Sequence, residues 1–236
     1  MVARGDLGME IPPEKVFLAQ KWMINKCNFA AKPVITATQM LDSMISKPRP
    51  TRAEATDVAN AVLDGSDCVM LSGESASGEY PINSVSMLAK ISTEAEKNIN
   101  YQTLYDHMKQ NSDKPVLTSE SVAASAASAA LTLGIDLIIV LTDTGRIARQ
   151  VAKYRPKQPI FACSVSSSTV KQLQMTRGII GLVIGSFQGS DNIIKNVIQT
   201  AKEQGLCESG NKIIALHSTN EENPDQSDIM EILTVE

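Results

Sequence analysis

Pro33-Val34-Ile35-Thr36-Ala37-Thr38-Gln39-Met40-Leu41 decides the reading of the fold. A short, β-rich apolar run ends in polar Thr38-Gln39, after which Met40, Leu41, Met44 and Ile45 recur at helical spacing. The expectation is a strand running into a helix. Further along, Asp67-Cys68-Val69-Met70-Leu71 reads as another strand, ending in Ser72-Gly73-Glu74-Ser75. Beyond Pro81, the residues Val85, Leu88, Ala89, Ile91 and Ala95 form a helical stripe with proline near its start. Upstream, Met1-Val2-Ala3 reads as the end of a strand whose beginning would precede residue 1, and it leads into the polar glycine turn Arg4-Gly5-Asp6-Leu7-Gly8. Asp6, Thr38 and Ser72 thus follow three strands, spaced by roughly the 30 or more residues of one βαβ unit. Parallel strands bring their carboxyl ends to one edge, where α/β sheets bind ligands, so the three side chains are expected to converge there.

The helices between these strands carry their own signals. Pro12 or Pro13 suits the first position of a helix over 14–28, with Val16, Leu18, Trp22, Met23 and Cys27 as its apolar face. Thr51-Arg52-Ala53-Glu54 has the capping-box form, and Gly65 stands where a left-handed stop is wanted. A polar stretch from Asn98 to Thr118 separates this first part, residues 1–97, from a second, residues 119–236. There Ser119 or Ser121 would cap an alanine-rich helix over 123–133. Apolar runs at 137–141, 159–163, 182–184 and 212–216 then alternate with helices over 147–154, 169–175 and 191–204, and 229–235 suits an edge strand. The reading is a doubly wound α/β sheet.

The chain has 236 residues, 43% of them apolar, and a formal charge of −4. Lys and Arg are scattered and aromatics sparse, which argues against nucleic acid as a partner. Neither a signal peptide nor an apolar run of membrane-spanning length is visible, so a membrane is not an expected partner. Cys27, Cys68, Cys163 and Cys207 lack metal-ligand spacing and read as reduced thiols of a cytoplasmic protein. His107 and His217 lie in unrelated segments, so a histidine-based mechanism has little to build on. The acidic run from Glu221 to Asp228 reads as a solvated loop.

Taken in order, Val2-Ala3-Arg4-Gly5-Asp6-Leu7-Gly8, Ala37-Thr38-Gln39-Met40-Leu41, Arg52-Ala53-Glu54-Ala55-Thr56-Asp57-Val58-Ala59-Asn60-Ala61-Val62, Asp64-Gly65 and Met70-Leu71-Ser72-Gly73-Glu74 resemble pyruvate kinases block for block. Leu141-Thr142-Asp143-Thr144-Gly145-Arg146 and Tyr154-Arg155-Pro156 continue the match. The resemblance implies the C-terminal part of a (β/α)8 TIM-type barrel, its last three strands, followed by a doubly wound α/β regulatory domain. It implies an enzyme that transfers the phosphoryl group of phosphoenolpyruvate to ADP, giving pyruvate and ATP, with Mg2+ or Mn2+ and with K+, in a cytoplasmic homo-oligomer that in the family is a tetramer. By position, Asp6 would be a ligand of the divalent metal, and the backbone N–H groups of Gly5 and Asp6 would hold the substrate carboxylate. Thr38 would lie against the reacting carbon, Ser72 would belong to the network that delivers a proton to the enolate, and Arg4 would brace the loop or reach across a subunit contact. The partner glutamate, the enolate-stabilising lysine, the potassium ligands and the phosphate-gripping arginine are expected outside this chain, which alone would be inactive. Ser77 stands where many relatives have lysine.

In the family the second domain commonly binds a sugar bisphosphate through the loop after its first strand and a basic, glycine-rich loop near the C-terminus. Here Thr142, Asp143, Thr144, Gly145, Arg146 and Ile147 form the first loop, with Asp143 and Ile147 where a basic residue and a hydroxyl are preferred. From Ile213 to Glu236 there is neither Lys nor Arg. That effector site is expected to be degenerate. The competing reading is a non-catalytic ligand-binding or assembly module derived from the enzyme; a class II aldolase or lyase barrel would account for Asp6 alone.

Overall fold

The structure is a computed structural model describing residues 1–236. It divides into two compact units, Met1–Ile99 and Asn100–Glu236.

In unit 1, β1 (Val2–Ala3) runs into α1 (Arg4–Glu10), α2 (Val16–Phe29) leads to β2 (Ile35–Ala37), and α3 (Arg52–Leu63) leads to β3 (Cys68–Met70), followed by α4 (Gly73–Ala76) and α5 (Pro81–Glu96). The sheet is parallel in the order β1-β2-β3, with Val2 opposite Thr36 and Ile35 opposite Cys68. The capping box of α3 forms as its residues dictate: Glu54 N–H donates to Thr51 Oγ1 at 3.3 Å, and Thr51 N–H donates to Glu54 Oε2 at 2.7 Å. Gly65, at φ 105°, ends that helix where an added Cβ would lie 2.6 Å from Asn28 Nδ2.

Two expectations for unit 1 need correction. Met40, Leu41 and Met44 do enter the core beside Val58 and Ala61, but the segment after β2 is a short 3-10 turn, Asp42–Ile45, and not an α-helix. Thr38 and Gln39 both have positive φ, and Pro48 and Pro50 follow within a few residues, so no helix can propagate there. The apolar face expected on α2 holds only in part: Met23 and Cys27 pack against Val2, Ile24 and Val34, but Leu18 and Trp22 are 56% and 63% exposed, and the polar Gln20 and Asn28 face inward. Polar partners make that possible, since Gln20 Nε2 donates to Asp64 Oδ2 at 3.0 Å and Asn28 Nδ2 donates to Gly65 O at 3.2 Å.

Unit 2 begins with α6 (Tyr101–Asn111), formed from the polar stretch and capped by the Asn100 side chain, which accepts from Thr103 N–H at 3.0 Å. Next comes α7 (Thr118–Leu133), whose N-cap is Leu117 with no side-chain cap, so neither Ser119 nor Ser121 serves as the expected cap. The chain continues through β4 (Leu137–Leu141), α8 (Arg146–Lys153), β5 (Ile160–Ser164), α9 (Ser167–Leu173), β6 (Ile179–Val183), α10 (Ser190–Glu203), β7 (Lys212–His217) and β8 (Ile229–Thr234). The strand order is β6-β5-β4-β7-β8, parallel except for the antiparallel edge strand β8. Both faces of β4 are covered: Ile138 and Val140 pack with alanines of α7 and with α8, whereas Leu137, Ile139 and Leu141 pack towards Val197 and Ala201 of α10. Continuous burial of this kind is what a central parallel strand requires. Small residues on α7 let it approach the sheet closely, as the alanine-rich sequence implies. Between β4 and β7 the winding direction reverses, which places a crevice at the carboxyl ends of those two strands.

Candidate functional sites at the strand ends

The carboxyl ends of the three strands in unit 1 are cross-tied by two side chains. Arg4, in the first turn of α1, donates through Nε and Nη2 to Thr38 O at 3.1 and 2.7 Å, and through Nη2 to Gln39 O at 3.2 Å. Its Nη1 pairs with Asp57 Oδ1 on α3 at 2.7 Å. The carbonyls it holds belong to the two residues with φ of 80° and 53°. A β-branched residue with positive φ persists only where its surroundings over-determine it. Gly5 completes the contact: a Cβ there would lie 2.8 Å from Thr38 Cγ2, so only glycine lets the threonine sit against the start of α1.

Glu74 makes the second tie. It is 1% exposed, and its two oxygens accept from Leu41 N–H at 2.9 Å and Ser72 N–H at 2.7 Å. One buried carboxylate thereby fixes the loop after β2 to the loop after β3. Asp6 stands exposed in the first turn of α1, and Ser72 opens α4 as its N-cap. Arg4, Gly5, Thr38, Gln39, Leu41 and Ser72 are therefore brought together through direct contacts; Asp6 is adjacent in sequence but makes no tie to the other loops. Sequence reasoning missed Glu74 as a positioning group, although an acidic side chain just inside a strand-to-helix turn is a signal for binding backbone N–H groups.

No group of three or more His, Cys, Asp and Glu side chains in the chain is arranged to hold a metal ion. Asp6 fits a magnesium ion as a single exposed carboxylate, because a hard cation that keeps most of its waters needs only one or two protein carboxylates.

In unit 2 the loop after β4 is occupied by the chain itself. Asp225 accepts from Thr142 Oγ1 at 2.5 Å, Thr144 N–H at 2.9 Å and Thr144 Oγ1 at 2.6 Å, and Arg146 Nη2 donates to Asp225 O at 2.6 Å. Gly145 N–H donates to Thr142 Oγ1 at 3.0 Å, while Ile147 is fully buried and Asp143 is exposed. Glu221 accepts from Gly189 N–H and Ser190 N–H at the start of α10, at 3.0 and 2.8 Å, and those bonds hold its carboxyl below the ordinary range. The acidic segment is thus not the solvated loop expected, since Pro224 and Asp225 are buried. Thr219 binds Asp228 through its hydroxyl and its N–H, lowering that carboxyl too. The four cysteines are free thiols, and burial alone pushes Cys163 up to about 12. No helix is long and apolar enough to cross a membrane.

Parallel strands with polar loops gathered at their carboxyl ends, followed by an open, mostly parallel sheet, define an α/β protein of two units. Residues 1–85 match the family described as "Pyruvate kinase, barrel domain", and residues 120–233 match "Pyruvate kinase, alpha/beta domain". The chain belongs to the pyruvate kinase family. It is 54% identical over 236 residues to a pyruvate kinase of Eimeria tenella, covering 100% of this chain and 44% of that protein. A pyruvate kinase from Cryptosporidium parvum superposes with a TM-score of 0.94 at 49% identity, covering 99% of this chain and 46% of that one. The C. parvum enzyme in complex with ADP gives 0.90 at 50% identity, with 99% and 47% covered. The chain therefore spans a little under half the length of these relatives.

Proposed function

We propose that the chain supplies the C-terminal part of a pyruvate kinase: barrel strands from its first 97 residues, and a regulatory α/β domain from 119–236 joined through 98–118. The whole protein then transfers the phosphoryl group of phosphoenolpyruvate to ADP, giving pyruvate and ATP. The observation that supports this best is the cross-tying of three strand ends by Arg4 and Glu74, which presents Thr38 and Ser72 on one edge beside Asp6. Phosphoryl transfer asks the protein chiefly for positioning and charge neutralisation. In this reading Asp6 would hold the divalent metal, Mg2+ or Mn2+, which would supply neutralisation of the phosphoryl charge. Backbone N–H groups of Gly5 and Asp6, among the orphan donors of the first turn of α1, face the substrate carboxylate. Thr38 lies against the reacting carbon, Ser72 belongs to the proton-delivery network, and Arg4 acts as a positioning residue through the Thr38 carbonyl. The K+ ligands come from outside this chain. Free, dispersed thiols suit a cytoplasmic protein, and the assembly is read as a homo-oligomer.

The test is pyruvate formation from phosphoenolpyruvate and ADP by a full-length protein containing this chain. Activity is expected there and none from residues 1–236 alone, because groups that act as a unit fail together. In the full-length protein Asp6→Asn should lower turnover by roughly a hundredfold or more and raise the metal requirement, while Thr38→Ala should lower kcat with little change in KM. Turnover by the isolated chain, or mild effects of both substitutions on KM alone, would contradict these roles.

A further inference from the structure

The crevice between β4 and β7 is where an open α/β sheet offers a ligand site, because the loops that follow the two strands part there. In unit 2 its donors are those of an anion site: the Thr144 N–H, the hydroxyls of Thr142 and Thr144, and Arg146, with the N–H groups of Gly189 and Ser190 at the start of α10. Both donor sets meet carboxylates from one short segment. Asp225 fills the first and Glu221 the second. Asp225 is only 6% exposed, and burying a carboxylate is costly unless it is hydrogen-bonded. Three donors to its two oxygens offset that cost, and they are the donors a phosphate oxygen would use.

The crevice also has polar capacity that the segment leaves unused. His217, at the end of β7, is 4% exposed, and neither ring nitrogen has a hydrogen-bond partner in the chain. The nearest carboxylate oxygen, Glu231 Oε1 on β8, lies at 3.6 Å, beyond hydrogen-bond range. With Ser190, Ser218 and Glu221, His217 lines a cavity of about 10 Å³.

We infer that residues 218–228 are a built-in strap whose Asp225 carboxylate stands in for a phosphate group, holding the crevice shut against phosphorylated ligands, and that removing this one carboxylate opens an anion site. A tethered carboxylate competes at an effective concentration that a short tether sets at about millimolar or above. An incoming dianion must displace it and also face Glu221, reversing the charge-assisted contacts on which phosphate sites depend. The inference deepens the reading of the Thr142–Ile147 loop as a degenerate effector loop, and explains the degeneracy by occupation and not only by missing cations.

The experiment titrates this chain with inorganic phosphate and with fructose bisphosphate, by calorimetry and by amide resonances, in the wild type, Asp225→Ala and Asp225→Asn. The wild type should show no saturable binding. Asp225→Ala should gain saturable binding of inorganic phosphate, with shifts confined to Thr142, Thr144, Gly145 and their neighbours. Without phosphate its Thr144 amide should exchange roughly tenfold or more faster, as expected for loss of a charged acceptor. Unchanged protection of β4 and β7 amides certifies that the variant is folded. If alanine unfolds the unit, Asp225→Asn, which keeps one acceptor oxygen at the same size, must show the gain. A folded variant that binds no phosphate overturns the strap while leaving the degenerate-loop reading intact. Binding of fructose bisphosphate by the wild type overturns both.

Discussion

Glu54 serves two loops with one carboxylate. Its Oε1 accepts from Ser43 N–H at 2.7 Å, and its Oε2 from Ser43 Oγ, Thr51 N–H and Thr51 Oγ1 at 2.6, 2.7 and 2.7 Å. Burial pushes its carboxyl up, but the hydrogen bonds from Ser43 and Thr51 outweigh that and hold it down to about 2. Because the folded value lies below the unfolded 4.5, the unfolded chain binds more protons between the two. The stabilisation is complete above about pH 4.5 and drains away as pH falls towards 2. Glu54→Gln is therefore expected to cost unit 1 about 1 kcal/mol at neutral pH, discounted for partial exposure, and to flatten acid unfolding over that window. Circular dichroism across the acid range checks this, and equal slopes for the two proteins would contradict it. At this scale the sequence showed the capping box but not its reach to Ser43. It flagged Arg4, Thr38 and Ser72 but not Glu74, because a carboxylate bound to backbone N–H groups leaves no sign-paired partner to search for.

At the scale of elements, β6 is instructive. The sequence suggested a strand over 182–184, and the structure begins it at Ile179. Gly178, at φ 80°, and Gly181 interrupt the β-rich pattern that marks strands. Gly181 is there for packing: a Cβ would meet Val170 Cγ1 at 2.6 Å, so glycine lets α9 lie directly on the strand. Gly181→Ala is expected to destabilise unit 2 by about 1–3 kcal/mol, as overpacking does, and combining it with Val170→Ala should recover part of the loss. Urea midpoints of the single and double variants measure that coupling, and simple additivity would contradict it. The central strands β4, β5 and β7 were legible because parallel, doubly covered strands are uninterrupted apolar runs, and the edge strand β8 because its residues alternate. The polar face of α6 disguised a helix as a connector, and on α2 the apolar pattern placed Met23 and Cys27 correctly but Leu18 and Trp22 wrongly, since Gln20 and Asn28 are buried through polar partners the sequence pattern cannot display.

At the scale of the whole chain, unit 1 ends its sheet at β1 and β3, each with one row of backbone groups unpaired within the sheet. Met9 and Ile82 are 88% and 79% exposed, with Phe17, Leu18 and Trp22 also largely open on α2. The isolated chain is accordingly expected to associate as its concentration rises, and light scattering should give masses above that of one chain. A monomer at every concentration, with residues 1–97 resistant to protease, would count against it. The openness of α2 has an optical side as well. Trp22 is the only tryptophan of the chain, so its emission reads unit 1 alone. Unit 2 instead holds Tyr105 and Tyr154 with ring centroids 5.8 Å apart. Because the single indole belongs to unit 1 and the tilted phenol pair to unit 2, indole emission follows the melting of unit 1 alone in an unlabelled sample, with no contribution from unit 2.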